Sequence, residues 1–167
     1  IVFGDWSSDV CSSDLGPDGH AKTGCGTTAV AQIMAYWKFP ARYNWNDMSN
    51  YASDATACLI GDIFPWVIDI YDVDGSSCKN DWNMVHAFQN FGYRSCDLAG
   101  YVNGYTENGG YKHQTVVSNL DQGQPVILGA YSSYTNILGF ISFPKGSGHI
   151  WVRSEEHTSE LQSPNTI

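Results

Sequence analysis

The stretch Gly19–Pro40 constrains this chain more than any other. Val30, Ile33, Met34 and Trp37 fall at the i, i+3, i+4, i+7 spacing of one buried helical face, small residues fill the positions between them, and Pro40 ends the pattern. Thr23 and Gly24 suit a turn, which puts Cys25 at or near the N-terminus of that helix. Unpaired backbone N–H groups and the positive end of the helix dipole favour a thiolate there, and the thiolate is the reactive form of cysteine. A lone cysteine opening a core helix would read as structural, since free cysteine is among the most buried residue types. A second stretch changes that reading. Gly146–Val152 places His149 after a glycine-rich turn, at the start of an apolar run with the character of a strand, 124 residues beyond Cys25. Cysteine first and histidine more than about a hundred residues later is the chain order of a cysteine nucleophile with its base.

Residues 19–40 resemble the active-site helix of the streptopain family of papain-like bacterial cysteine peptidases, above all in Gly24-Cys25 followed by Ala29-Val30-Ala31-Gln32-Ile33-Met34. Gly148-His149-Ile150-Trp151-Val152 is similar to that family's histidine motif. Weaker similarity at Tyr43–Asn46, Tyr71–Ser77, Asn90–Tyr93 and Gln124–Val126 extends the likeness over about residues 17–152 in the family's order. The resemblance implies an α+β, papain-like fold in which an N-terminal active-site helix packs beside an antiparallel sheet. It also implies a secreted enzyme that hydrolyses peptide bonds. Cys25 would attack the scissile carbonyl, and His149 would take the thiol proton and later protonate the leaving amine. The backbone N–H of Cys25 would donate to the oxyanion. Gly148 would leave room for the substrate backbone, and Ser77, in a serine-glycine loop, would contribute backbone or hydroxyl contacts to the substrate.

The two ends read differently. Asp5–Leu15 can be encoded by a DNA string whose reverse complement, in the right frame, encodes Arg153–Gln162. Complementary coding strings do not flank a domain by chance, and both peptides match the translation of a common sequencing-library adapter. Residues 1–15 and 153–167 are therefore set aside as non-native, leaving 16–152 as a partial peptidase domain truncated at both ends. Cys11 and His157 drop out with them. In the family a side-chain oxyanion donor lies upstream of the cysteine and an Asn/Trp-containing segment follows the histidine. Neither has a counterpart in 16–152, so this polypeptide is expected to be impaired or inactive. His20, five residues before Cys25, reads as structural.

Composition excludes several other roles. The net charge is −9, and the two end segments hold six acidic residues and one arginine; the remainder has eleven acidic against seven basic residues, or −4. No basic patch suggests nucleic acid, and no apolar run is long enough for membrane insertion. No Cys-x-x-Cys pair and no histidine spacing suggests a metal, and no cofactor is called for. Asp72 and Asp74 lack the following ligands of a calcium loop. Cys58, Cys78 and Cys96 leave open a Cys58–Cys78 bridge, a Cys78–Cys96 bridge, or reduced thiols.

The rest of the chain reads as a loop over Tyr43–Ser53 and a loose helix from Ala55 to about Ile70, interrupted at Pro65 with Asp62 and Asp69 solvated. A turn follows at Asp72–Ser77, then a helix over Trp82–Phe91 bearing a structural His86 and a loop over Gly100–Gly110. A short helix over Tyr111–Asp121 precedes a buried strand through Val126–Tyr131 and a hairpin or loop into the His149 strand. Helices before strands favour α+β, with the His149 strand paired to Val126–Tyr131. The partners implied are protein or peptide substrates of a monomer. The competing reading is a non-catalytic relative of the same fold, a peptide-binding module or an inhibitory fragment.

Overall fold

Small residues make the first helix, α1 (Gly24–Trp37), a central one. Gly26, Thr27, Ala29, Val30, Ala31, Ile33 and Met34 are all buried, and short side chains on several faces let neighbours approach from more than one direction. The computed structural model describes residues 23–48, 53–68, 70, 76–78, 82–94, 111–137 and 141–154. The expectations placed on residues 1–22, Asp69, Asp72, Asp74, Cys96, the 100–110 loop and His157 lie outside these. Around α1 pack α2 (Asp54–Val67), α3 (Trp82–Asn90) and an antiparallel pair, β1 (Val126–Ile137) and β2 (Ile141–Arg153), while α4 (Tyr111–Asp121) leads into β1. Among the described residues the architecture is helices followed by a small antiparallel sheet, in keeping with α+β, and no helix is long and apolar enough to cross a membrane.

The stripe expected on α1 is buried at Val30, Ile33 and Met34, but Trp37 is 48 % exposed. Trp37 belongs to the last turn, beyond the core, and the buried face continues toward the N-terminus instead. The helix ends in two reversed bonds: Lys38 N–H donates to the Ala35 carbonyl at 3.3 Å and Phe39 N–H to the Met34 carbonyl at 3.2 Å. This Schellman closure puts Lys38 at φ 48°, a left-handed conformation that costs a side-chain-bearing residue about 1 kcal/mol. The end of α4 closes the same way with glycine in that place: Gly123, at φ 69°, donates to Leu120 and Gln124 to Asn119.

In α2, Ser53 is extended and its hydroxyl accepts the Thr56 N–H at 3.2 Å, an N-cap the sequence analysis did not single out. Thr56, Leu59, Ile60, Ile63, Phe64 and Val67 then form the buried face. The helix passes through Pro65 and stops at Val67, short of the expected Ile70, because Ile68 is extended and leads toward a bridge with Ser77. Asp62 is exposed as expected; it accepts the Tyr43 hydroxyl at 2.7 Å and pairs with Arg42 at 3.4 Å. Burial, helped by Asp62, pushes the Tyr43 phenol up to about 12. Tyr93 donates to the Phe39 carbonyl at 2.9 Å, and its phenol is likewise raised by burial. The two tyrosines hold the segment after α1 against α2 and α3. On α3, Met84, Val85, Ala87 and Phe88 are buried and His86 is exposed.

The expected strand pairing is present, with Ala130 opposite His149 and Val126 opposite Arg153. Of the hairpin and loop left open for the stretch before His149, the hairpin is present: 133–137 pairs with 141–145. Ile127, Ile150 and Val152 turn to the core, whereas His149 and Trp151 alternate onto the other face. The Lys38 conformation gives a direct stability test. Replacing Lys38 by glycine should raise unfolding stability by about 0.5–1 kcal/mol in urea titration, since it removes left-handed strain from an exposed residue. An unchanged or lower midpoint would contradict the strained cap.

Candidate active site

Cys25 occupies the first turn of α1, one residue after Gly24, and is partly exposed. Thr23 offers no side-chain cap, so the first-turn N–H groups, that of Cys25 included, have no partner within the helix. An anion at this end meets several aligned donors, the setting in which an oxyanion is stabilised. The Thr28 hydroxyl donates to the Gly24 carbonyl at 3.0 Å, which ties the turn together from below.

Two other parts of the chain close on this turn. A Cβ at Gly26 would lie 3.1 Å from Val67 Cγ1, 3.7 Å from Ile150 Cδ1 and 3.8 Å from Cys78 Cβ. A Cβ at Gly24 would lie 2.9 Å from the Ser76 carbonyl oxygen. The residues on either side of Cys25 are therefore pressed by 76–78 and by the neighbour of His149. Sequence spacing pointed to Cys25 and His149 but not to this seam; the Gly-Cys-Gly run was its only signal.

His149 is exposed. Its ring stacks on Trp151, with centroids 6.1 Å apart and planes 16° from parallel. That puts the imidazole on the ribbon face opposite Ile150, the residue that meets α1. Just before it β2 bulges: the step from Tyr131 to Ser133 on β1 is matched by Gly148 to Lys145 on β2, one residue more. Bulges re-aim the side chains beside them. Gly148, exposed and opposite Tyr131, stands at the bulge. Trp151 was not anticipated as a site residue, although its place two along the strand from His149 was legible.

Ser77 is exposed, and both of its backbone groups are committed: its N–H donates to Ile70 at 3.0 Å and its carbonyl accepts from Ile70 at 3.2 Å. Of the contacts expected of it, the hydroxyl and the second lone pair of the carbonyl remain. Cys58 is an exposed free thiol on α2, which removes the Cys58–Cys78 bridge from the alternatives.

Residues 6–42 match the model of the Peptidase C10 family. This is the streptopain family to which the resemblance pointed. The match is a short part of the chain; it takes in the whole of α1 with Cys25, and also residues 6–15 of the segment set aside on coding grounds. No curated protein and no solved structure shows a significant match to the chain. The match points to a cysteine peptidase family.

The Ile70–Ser77 bridge yields a prediction at this site. Ser77→Pro, which loses the N–H given to Ile70, should cost about 1–3 kcal/mol in chemical denaturation. Ser77→Ala, which keeps both backbone bonds, should stay within about 0.5 kcal/mol of the parent. Equal effects of the two changes would contradict the bridge.

Proposed function

We propose that this chain carries the reactive centre of a cysteine endopeptidase acting on protein or peptide substrates. Cys25 is its nucleophile and His149 its base. The thiolate adds to the scissile carbonyl, and the Cys25 N–H donates to the oxyanion that forms. The tetrahedral species collapses to a thioester as the amine leaves with a proton from His149. Water, deprotonated by His149, then attacks the thioester and frees the acid and the thiol. Gly148 and the Ser77 hydroxyl line the approach of the substrate.

The observation that carries this reading is the position of Cys25: partly exposed, in the uncapped first turn of α1, inside the stretch matched by the Peptidase C10 family. The contact of the same turn with Ile150 brings the strand that carries His149 against α1, with the imidazole itself on the other face of the ribbon. For proton transfer the His149 imidazole must leave its stack on Trp151 and turn toward the N-terminus of α1. That turn has to come from the backbone beside the bulge, because rotation about χ1 leaves the Cα–Cβ bond on the same face of the ribbon.

The stack also favours a second reading, a non-catalytic relative that binds peptides or inhibits. There the paired His149 and Trp151 rings would form a fixed, exposed surface. The remaining parts of the proposal follow the resemblance: a papain-like fold, export from the cell, and a monomer. Slow turnover by this polypeptide is part of the proposal, and thiol chemistry is the more direct readout.

Alkylation by iodoacetamide, mapped by mass spectrometry, separates the two readings. Near about pH 6, Cys25 should react at least roughly tenfold faster than exposed Cys58, and His149→Ala should abolish most of that advantage. If Cys25 lags Cys58 and gains reactivity only as pH approaches about 8.5, the ordinary thiol value, the non-catalytic reading stands.

A further inference from the structure

The segment 76–78 runs beside the first turn of α1. Ser76 lies against Gly24 and Cys78 against Gly26, with exposed Ser77 between them in the chain. What permits the approach is Gly24. It starts α1 at φ 74°, a conformation open to glycine and strained for residues with a Cβ. A Cβ there would sit 2.9 Å from the Ser76 carbonyl oxygen and 3.2 Å from Ile68 Cδ1. The first of these is a clash with backbone, which cannot rotate aside as a side-chain tip can. Nor is the segment free to retreat, because the next residue, Ser77, is bonded in both directions to Ile70.

We infer that Gly24 is a positioning residue: its bare Cα seats 76–78 against the first turn of α1 and so fixes where Ser77 stands relative to the nucleophile. This rests on the reading of Cys25 as nucleophile and Ser77 as a substrate contact. A Cβ at position 24 would displace the wall of the site while leaving the sulfur at the helix terminus. Recognition of a peptide would suffer, and the intrinsic reactivity of the thiolate would not.

Two electrophiles distinguish these effects on the full chain. Iodoacetamide needs only a thiolate; a dipeptidyl chloromethyl ketone with phenylalanine next to its reactive residue also needs the wall. In both, sulfur forms a thioether and halide leaves. In Gly24→Ala, reaction of Cys25 with the peptidyl reagent should fall about tenfold, as expected for a misplaced binding group. Its reaction with iodoacetamide should stay within about twofold of the parent, because the helix-terminal environment of the sulfur is unchanged. Equal falls with both reagents, or no fall with either, overturn the inference. Gly24→Asn is run alongside, because asparagine tolerates positive φ yet brings the same Cβ. It should show the same selective loss even where alanine disturbs folding, as judged by circular dichroism. Collapse of both variants overturns the inference, since the space at Gly24 would then serve the core through Ile68 rather than the wall of the site. A parent chain in which Cys25 reacts no faster than Cys58 overturns the nucleophile reading and this inference with it. Failure confined to the Gly24 variants overturns this inference alone.

Discussion

Everything proposed for this chain depends on how closely other backbone and side chains approach the first turn of α1. At Gly26 the absent side chain admits Val67, Ile150 and Cys78 together, each within 4 Å of where a Cβ would stand. At Gly24 it admits the Ser76 carbonyl. Helix α2, the 76–78 segment and strand β2 thus converge on two residues that bracket a cysteine. A larger residue at position 26 would push against Val67, which is fully buried, and the strain would pass into the α1–α2 core. The core and the site are therefore not separate parts of the molecule. The interface that buries Val67 also brings the neighbour of His149 to the neighbour of Cys25.

The strand side of the site is governed by alternation. Ile150 and Val152 serve the core, so His149 and Trp151 must face the other way on a regular ribbon. The bulge between Lys145 and Gly148 interrupts regularity immediately before His149. A strand that must both pack an isoleucine on α1 and offer its neighbouring histidine to the same helix has conflicting demands. A bulge and a glycine at this point are the means by which a backbone relaxes such a conflict. The stack of imidazole on indole describes the arrangement in which packing dominates.

Much of this was legible in the sequence, for reasons particular to each element. Val30, Ile33 and Met34 announced α1 because the helical period is strong where apolar and small residues alternate. The β1–β2 pairing followed from two apolar runs, and Ala130 does stand opposite His149. Trp37 misled because periodicity does not say where the core ends. Pro65 misled because a proline in the last turn removes one bond without stopping the helix at once. Whether 133–145 was hairpin or loop stayed open because Ser133, Ser142 and Pro144 carry turn propensity, which here gives way to cross-strand pairing. The close approaches at Gly24 and Gly26 were beyond sequence reasoning, because a glycine gives no sign of what fills the space its side chain leaves.

The central claim is that Cys25 and His149 share a proton. Nitrogen-15 NMR of the His149 imidazole, in the parent chain and in Cys25→Ser at one neutral pH, measures that coupling directly. A shared proton predicts that the ring-nitrogen shifts of the two chains differ, because the imidazole of the parent is hydrogen-bonded to sulfur. Identical spectra would mean that the two side chains do not sense each other, and would contradict the account.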